Sequence, residues 1–208
     1  MTDSEEYEKL KSNILSLNME RTIQTIIVAS PVNGEGCSTV ASNLALSLAK
    51  NKALKVILID GNIRNPNLHE RFNLELHKGL SEVIIGRFGV SDVLKKTMFP
   101  NLSVITCGDV GLNPTETFEA HRVKTLIIKL KEEFDYLIFD SPPVNAYPDA
   151  HILASLMDGV ILVIHACKTR WEVAEKAKEY LEKVHANILG VVLNRKRYYI
   201  PDFIYKRL

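Results

Sequence analysis

The chain has 208 residues, with a hydrophobic share of 46% and a charged share of 25%, the balance of an ordinary globular protein. Its 26 Lys and Arg against 25 Asp and Glu leave a net charge of +1, so charge gives no case for a nucleic-acid or membrane surface. Three cysteines without framework spacing suit free thiols in a reducing compartment. No apolar run reaches the ~18–20 residues of a membrane span, and no signal-peptide pattern precedes the first strand. The expectation is a cytoplasmic chain, 1–208 as one domain, or the cytoplasmic piece of a longer membrane protein.

In chain order, residues 4–18 read as a polar-rich amphipathic helix, with Tyr7, Leu10, Ile14 and Leu17 on one face and Ser4 as its cap. Residues 25–29, T-I-I-V-A, are a β-branched run of strand length. Residues 31–37 form a tight loop with glycines at 34 and 36. Ser38 and Thr39 then open a helix carrying Val40, Ala41, Leu44, Ala45 and Leu48 at helical spacing. Residues 55–60, K-V-I-L-I-D, are a buried strand ending in a carboxylate, and 61–69 are a loop with Arg64 and Pro66. Short helices are expected at 79–85 and 91–96, and a strand at 102–107. A helix at 121–134 leads into the strand 136–140, Y-L-I-F-D. A helix at 149–157, a strand at 159–166, a helix at 170–184 and a last strand at 188–194 follow. In the helix 170–184, Val173, Ala177, Tyr180, Leu181 and Val184 are expected to face inward, and Trp171 to pack on the last strand. The alternation implies an α/β, P-loop NTPase-like fold, a mostly parallel sheet with helices on both faces.

In such sheets ligands bind outside the carboxyl ends of the strands. Ser38, Asp60, Asp140 and Asn194 all lie at or just past strand ends. Gly34 and Gly36 let the backbone turn its N–H groups inward at a helix N-terminus, an anion nest suited to phosphates. The candidate cofactor-binding set is Asn33, Gly34, Glu35, Gly36, Cys37, Ser38 and Thr39. The loop departs from G-x-x-x-x-G-K-[ST]: Pro31 stands at the first glycine and Cys37 at the lysine. A P-loop lysine neutralises charge as the γ-phosphoryl moves, and a cysteine is too short and uncharged to do so. By analogy with the loss of one preorganised donor, transfer should lose about 3–4 kcal/mol of transition-state stabilisation, while main-chain docking survives. Asp60 and Asp140 either hold Mg²⁺ beside Ser38 or cap neighbouring turns. Cys37 is either a small filler or a thiol activated by the helix N-terminus.

Longer motifs carry a family resemblance over nearly the whole chain. The loop P-V-N-G-E-G-C-S-T is followed by V-I-L-I-D-G-N-I-R-N-P-N-L-H (56–69) and L-I-F-D-S-P-P-V (137–144). With G-L-S-E-V-I-I-G, N-P-T-E and G-V-V-L-N-R in place, the chain resembles the cytoplasmic domain of bacterial tyrosine kinases (BY-kinases), which regulate capsule and exopolysaccharide export. The second motif is similar to the family's D-x-D-x-R and the third to its Walker B. Val32 stands where the related partitioning and septum-positioning ATPases carry an extra lysine. The resemblance implies ATP or ADP with Mg²⁺, with Asp60, Arg64 and Asp140 in the chemistry, and Ser38, Asp60 and Asp140 at the metal. It further implies Asn194 against the base, and autophosphorylation in trans of a tail cluster, here Tyr198, Tyr199 and Tyr205. It also implies rings assembled through an N-terminal Glu-x-x-Arg-x-x-Arg helix, and a membrane-anchored polysaccharide chain-length or export protein as partner. The implied location is the cytoplasm, peripheral to the inner membrane.

The departures fall on chemistry and assembly. Cys37 replaces the P-loop lysine, and Asn62 the second aspartate of D-x-D-x-R. In the N-terminal helix Glu5 fits, but Glu8 and Lys11 stand for the two arginines. The expectation is a kinase-like nucleotide-binding module with weak or absent transfer. The alternatives are an active ATP-dependent tyrosine autokinase and a partitioning-type ATPase.

Overall fold

The computed structural model describes residues 3–109 and 119–196. The N-P-T-E motif, Tyr198, Tyr199, Tyr205 and most of the basic, tyrosine-containing tail expected at 195–208 lie outside them. In chain order the elements are α1 (Asp3–Glu20), β1 (Thr25–Ala29), α2 (Cys37–Ala49), β2 (Val56–Asp60), α3 (Leu68–Phe72), α4 (Leu80–Ile84) and α5 (Val90–Val93). Then come β3 (Lys95–Lys96), β4 (Leu102–Ile105), α6 (Ala120–Lys131), β5 (Tyr136–Asp140) and α7 (Pro148–Leu156). The last are β6 (Gly159–His165), α8 (Trp171–Lys183) and β7 (Ile188–Asn194). One seven-stranded sheet has the order β3-β4-β2-β5-β1-β6-β7, parallel throughout except for β3 against β4.

The inner strands are buried along both faces, which is why they read as continuous apolar runs rather than alternating ones. Successive side chains still diverge to opposite layers. Ile26, Val28, Val56, Leu58 and Ile138 meet α1, α2 and α3 on one side. Ile27, Ile57, Ile59, Leu137 and Phe139 meet α4, α6, α7 and α8 on the other. α2 is the central helix of the first layer, with Val40, Ala41, Leu44, Ala45 and Leu48 fully buried.

Three expectations need correction. The helix expected at 91–96 ends after Val93, because Lys95 and Lys96 pair with Val104 and Ser103 as a short edge strand. The lysine-rich stretch looked helical, but the free edge of β4 offers it a ladder. The loop expected at 61–69 already turns helical at Leu68, whose N–H is held by Asp60. Trp171 does not pack on β7: it is 71% exposed at the start of α8. In that helix Ala177 and Leu181 are buried, while Val173, Tyr180 and Val184 are only partly covered.

α1 lies against α2 through Tyr7, Leu10, Ile14 and Leu17. Glu8, which stands where the family helix has an arginine, is turned onto its own chain. It accepts hydrogen bonds from Ser47 Oγ (2.8 Å) and Lys50 Nζ (3.3 Å), and pairs with Lys11. The Lys11 bond, ahead of the Ser47 bond, lowers its carboxyl to about 2. A lowered carboxylate adds stability that is present above the unfolded pKa of about 4.3 and is lost as pH falls through the folded value. Glu8→Gln is therefore expected to lower the urea midpoint at pH 7, and the difference from wild type should shrink as pH is taken below 4.

Candidate nucleotide site

The site grows from the C-terminal end of β1. After Ala29 the chain leaves the sheet through residues 30–36 and re-enters structure as α2. Gly34 and Gly36 have φ of +84° and +91°, a left-handed backbone that side chains disfavour. A Cβ at Gly36 would meet Asn194 Nδ2 at 2.1 Å, whereas one at Gly34 would point into open space. The turn is locked from behind. Asn194 Nδ2 donates to the Glu35 carbonyl at 2.7 Å, and the buried Glu35 carboxylate accepts from Thr169 Oγ1 at 2.7 Å and from the His165 N–H. On the other flank, the Val144 and Asn145 N–H groups donate to the carbonyls of Ser30 (2.9 Å) and Pro31 (3.1 Å). The segment after β5 is thereby laid along the loop.

The loop borders a cleft of about 210 Å³ lined by Asn33, Gly34, Gly36, Cys37, Ser38 and Thr39 together with Asn62, Asn67, Arg71, Ser141, Pro143 and Arg195. A larger groove, about 510 Å³, runs between residues 83–90 and 119–129 on the opposite layer. The loop residues and Ser38 do not line it, so the residues expected to meet phosphate belong to the smaller cleft.

Two buried carboxylates stand at the rim. β2 and β5 are neighbours in register, with Asp60 opposite Asp140 and both fully buried. Their environments differ. Asp60 accepts from the N–H groups of Asn62 (3.2 Å), Asn67 (3.2 Å) and Leu68 (3.1 Å), so it caps the turn that starts α3. Neither oxygen of Asp140 makes a hydrogen bond of good geometry, although the Ser38 hydroxyl and the Cys37 thiol lie close enough to lower its carboxyl against the effect of burial. Burial raises both carboxyls above their ordinary range, and the Asp140 charge raises Asp60 further. An orphaned buried carboxylate beside a serine hydroxyl and a glycine cradle is a donor set that fits Mg²⁺ and a polyphosphate. Asp140 and Ser38 would hold the ion, with Asp60 behind them.

The other expected residues are placed as follows. Cys37 is buried, and its thiol donates to the Val28 carbonyl at 2.9 Å. Burial and the nearby Asp140 push that thiol well above its ordinary range. This corrects the activated-thiol alternative, because desolvation outweighs the helix N-terminus. Asn62 Oδ1 closes a turn by accepting the Asn65 N–H at 3.3 Å. Arg64 is turned from the cleft: Nε and Nη2 both bond Asp149 at 2.9 Å, and the guanidinium lies 4.2 Å from the Tyr147 ring centre. The Asn194 amide is engaged at both ends, by Glu35 and by the Arg195 N–H (2.9 Å), and acts on the loop rather than facing the cleft. Cys107 is buried just past β4, and Cys167 is exposed.

Sequence reading missed Asn67 and Arg71. Asn67 Nδ2 donates to Ser38 Oγ at 2.9 Å, and Arg71 Nη2 donates to Thr39 Oγ1 at 2.7 Å. Asn67 lies inside the 56–69 motif without a role read for it, and the signal for Arg71 was a polar, basic stretch just past that motif.

A loop shaped for phosphate at the end of a central parallel strand defines a P-loop nucleotide-binding class. A family model described as ParA: NUBPL iron-transfer P-loop NTPase matches residues 21–205. The putative tyrosine-protein kinase CapB of Staphylococcus aureus is 34% identical over 93% of this chain and 85% of its own length. The tyrosine-protein kinase YwqD of Bacillus subtilis is 35% identical over 94% and 82%. Among solved structures, the chimerical protein CapA2B2 superposes with a TM-score of 0.88 at 31% identity, over 93% of this chain and 85% of that one. The kinase domain of the Escherichia coli tyrosine kinase ETK gives 0.87 at 25%, over 95% and 79%. The chain belongs to the ParA-type P-loop NTPases and, within them, to the bacterial tyrosine kinases.

Two predictions test this geometry. Gly36→Ala is expected to cost about 1–3 kcal/mol of unfolding free energy, from a strained φ and the clash with Asn194. Gly34→Ala, strained but unobstructed, should cost less in the same urea titration. For the carboxylate pair the sign is opposite to that of Glu8. A raised carboxyl contributes stability that is present below about pH 4 and lost as pH rises through the folded values. In EDTA, Asp140→Asn is expected to raise the urea midpoint relative to wild type, more at pH 8 than at pH 5.

Proposed function

We propose that the chain is a BY-kinase-type module that binds ADP or ATP with Mg²⁺ and transfers phosphoryl groups weakly or not at all, acting in the regulation of exopolysaccharide or capsule biosynthesis. The observation that carries the reading is at position 37. The thiol there is bonded to Val28 beneath the loop, so no cation rises from the loop itself to follow a moving γ-phosphoryl.

The loop N–H groups, Gly34 to Thr39, supply the anion contacts, held in place by Asn194 and Glu35. Ser38 and Asp140 would carry the metal, whose chemistry is to neutralise phosphate charge. Asn62, an amide where the family has a carboxylate, offers a neutral oxygen already bonded to Asn65 and can neither accept a proton nor hold an ion with full charge. Arg64, held by Asp149, is not poised for transfer. Glu8 bonded to α2 replaces the first arginine of the assembly helix, which argues for altered ring assembly. The partner consistent with this reading is a membrane-anchored chain-length or export protein, with the chain in the cytoplasm at the inner membrane. Among the described residues no helix is long and apolar enough to cross a membrane.

A second reading, an active tyrosine autokinase with Tyr198, Tyr199 and Tyr205 as acceptors, is favoured by the names of the relatives. The two are separated by measuring ADP and ATP affinity, and phosphotyrosine formation with ATP and Mg²⁺, in the native chain and in Cys37→Lys. Measurable nucleotide binding with little or no phosphotyrosine is expected from the native chain. Cys37→Lys should tighten ATP binding, while Asn62 still limits transfer. Robust autophosphorylation by the native chain would establish the kinase reading instead.

A further inference from the structure

The cleft does contain a cation, and it comes from a different element. Arg71 lies on α3, one turn of helix fixed at its start by the fully buried Leu68 and by the two N–H bonds from Asn67 and Leu68 to Asp60. Its guanidinium reaches across to α2. Nη2 donates to Thr39 Oγ1 at 2.7 Å, and Nε donates to Asn67 Oδ1 at 3.1 Å. Asn67 in turn donates to Ser38 Oγ at 2.9 Å. The side chain is therefore tied to both hydroxyl residues that open α2, and it lines the cleft.

No carboxylate of the described residues forms an ion pair with Arg71, in contrast to Arg64, whose charge is matched by Asp149. Two of its five N–H donors are used in these bonds, which leaves three for an anion. Its positive charge also acts on the buried Asp140. Arg195 lines the same cleft from the end of β7, but no side-chain bond joins it to the loop or to α2.

We propose that Arg71 is the phosphate-binding cation of this site, and that it bonds the polyphosphate of a nucleoside di- or triphosphate in place of the missing side chain at position 37. This deepens the nucleotide-binding reading and rests on it. A guanidinium suits the task because its planar fork bonds two phosphate oxygens at once. Its approach from α3 rather than from the loop means that it strengthens docking without restoring what a lysine at 37 would do during transfer.

The test is calorimetric titration of the full chain with Mg²⁺–ADP and with Mg²⁺–pyrophosphate. Wild type is compared with Arg71→Gln, Arg71→Lys, Arg195→Gln and Arg87→Gln, an exposed arginine that does not line the cleft. Arg71→Gln is expected to weaken both ligands about 10- to 100-fold, the range for a hydrogen bond to a charged group. Arg71→Lys should recover most of the loss, Arg195→Gln should lose less than Arg71→Gln, and Arg87→Gln should match wild type. The ligand-free melting temperature of Arg71→Gln should equal that of wild type, since the residue is exposed. Wild-type affinity in Arg71→Gln would overturn the assignment while leaving nucleotide binding intact. So would a loss that Arg71→Lys does not recover and that comes with a lowered ligand-free melting temperature. Failure of the wild-type chain to bind either ligand would remove the nucleotide reading, and this assignment with it.

Discussion

The site depends on β1 being paired in parallel on both sides, with β5 along one edge and β6 along the other. Parallel pairing brings the carboxyl ends of these strands to one rim of the sheet, where loop segments can reach each other. The loop after β1 is then flanked by the segment after β5, which bonds Ser30 and Pro31, and by the end of β6 with the turn after it, which supply His165 and Thr169 to Glu35. Asn194, at the end of β7, reaches the loop by the same logic. The cradle is thus a property of the sheet, and its left-handed glycines are held by residues more than a hundred positions away.

This arrangement accounts for how the cradle can persist without its lysine. On the proposed reading the phosphate donors are main-chain N–H groups, and what holds the loop is the external hydrogen bonding of Glu35, Ser30 and Pro31 rather than the side chain at 37. Cys37 occupies its position with a buried hydrogen bond to Val28, so no polar group is left unmet there. Among the buried polar atoms without a hydrogen bond are both oxygens of Asp140. A bare carboxylate inside a protein is costly, and neighbouring structures normally supply a partner. Three backbone N–H groups are spent on Asp60, while the oxygens of Asp140 keep their coordinating capacity.

Loss of charge at 37 and the position of Arg71 are two halves of one electrostatic balance. A polyphosphate held beside two buried carboxyl groups needs positive charge nearby, whatever the backbone geometry. With Arg71 on α3 and Arg195 just past β7, the lining has positive charge without restoring the lysine's place in the loop. On that proposal binding and transfer are separable properties, because one needs charge near the phosphates and the other needs it to track a moving group.

Much of this was legible in the amino-acid order. The alternation of apolar runs and helical periodicity specified an α/β sheet, and the glycines of the loop, together with Asp60 and Asp140 at strand ends, marked the rim. These are local signals, carried by residue type and spacing. Sequence also showed which side chains were missing, Cys37 and Asn62 above all. Tertiary structure alone decided which carboxylate is capped and which is bare, because that turns on β2 lying beside β5 and on α3 beginning at Leu68. It decided that Arg64 serves Asp149 and Tyr147 while Arg71 faces the loop, although both follow the same strand. It also placed Lys95 and Lys96 in a strand, Trp171 in solvent and the buried Cys37 thiol on the Val28 carbonyl. Each of these depends on what a side chain meets from a distant part of the chain, and no spacing along the sequence encodes that meeting.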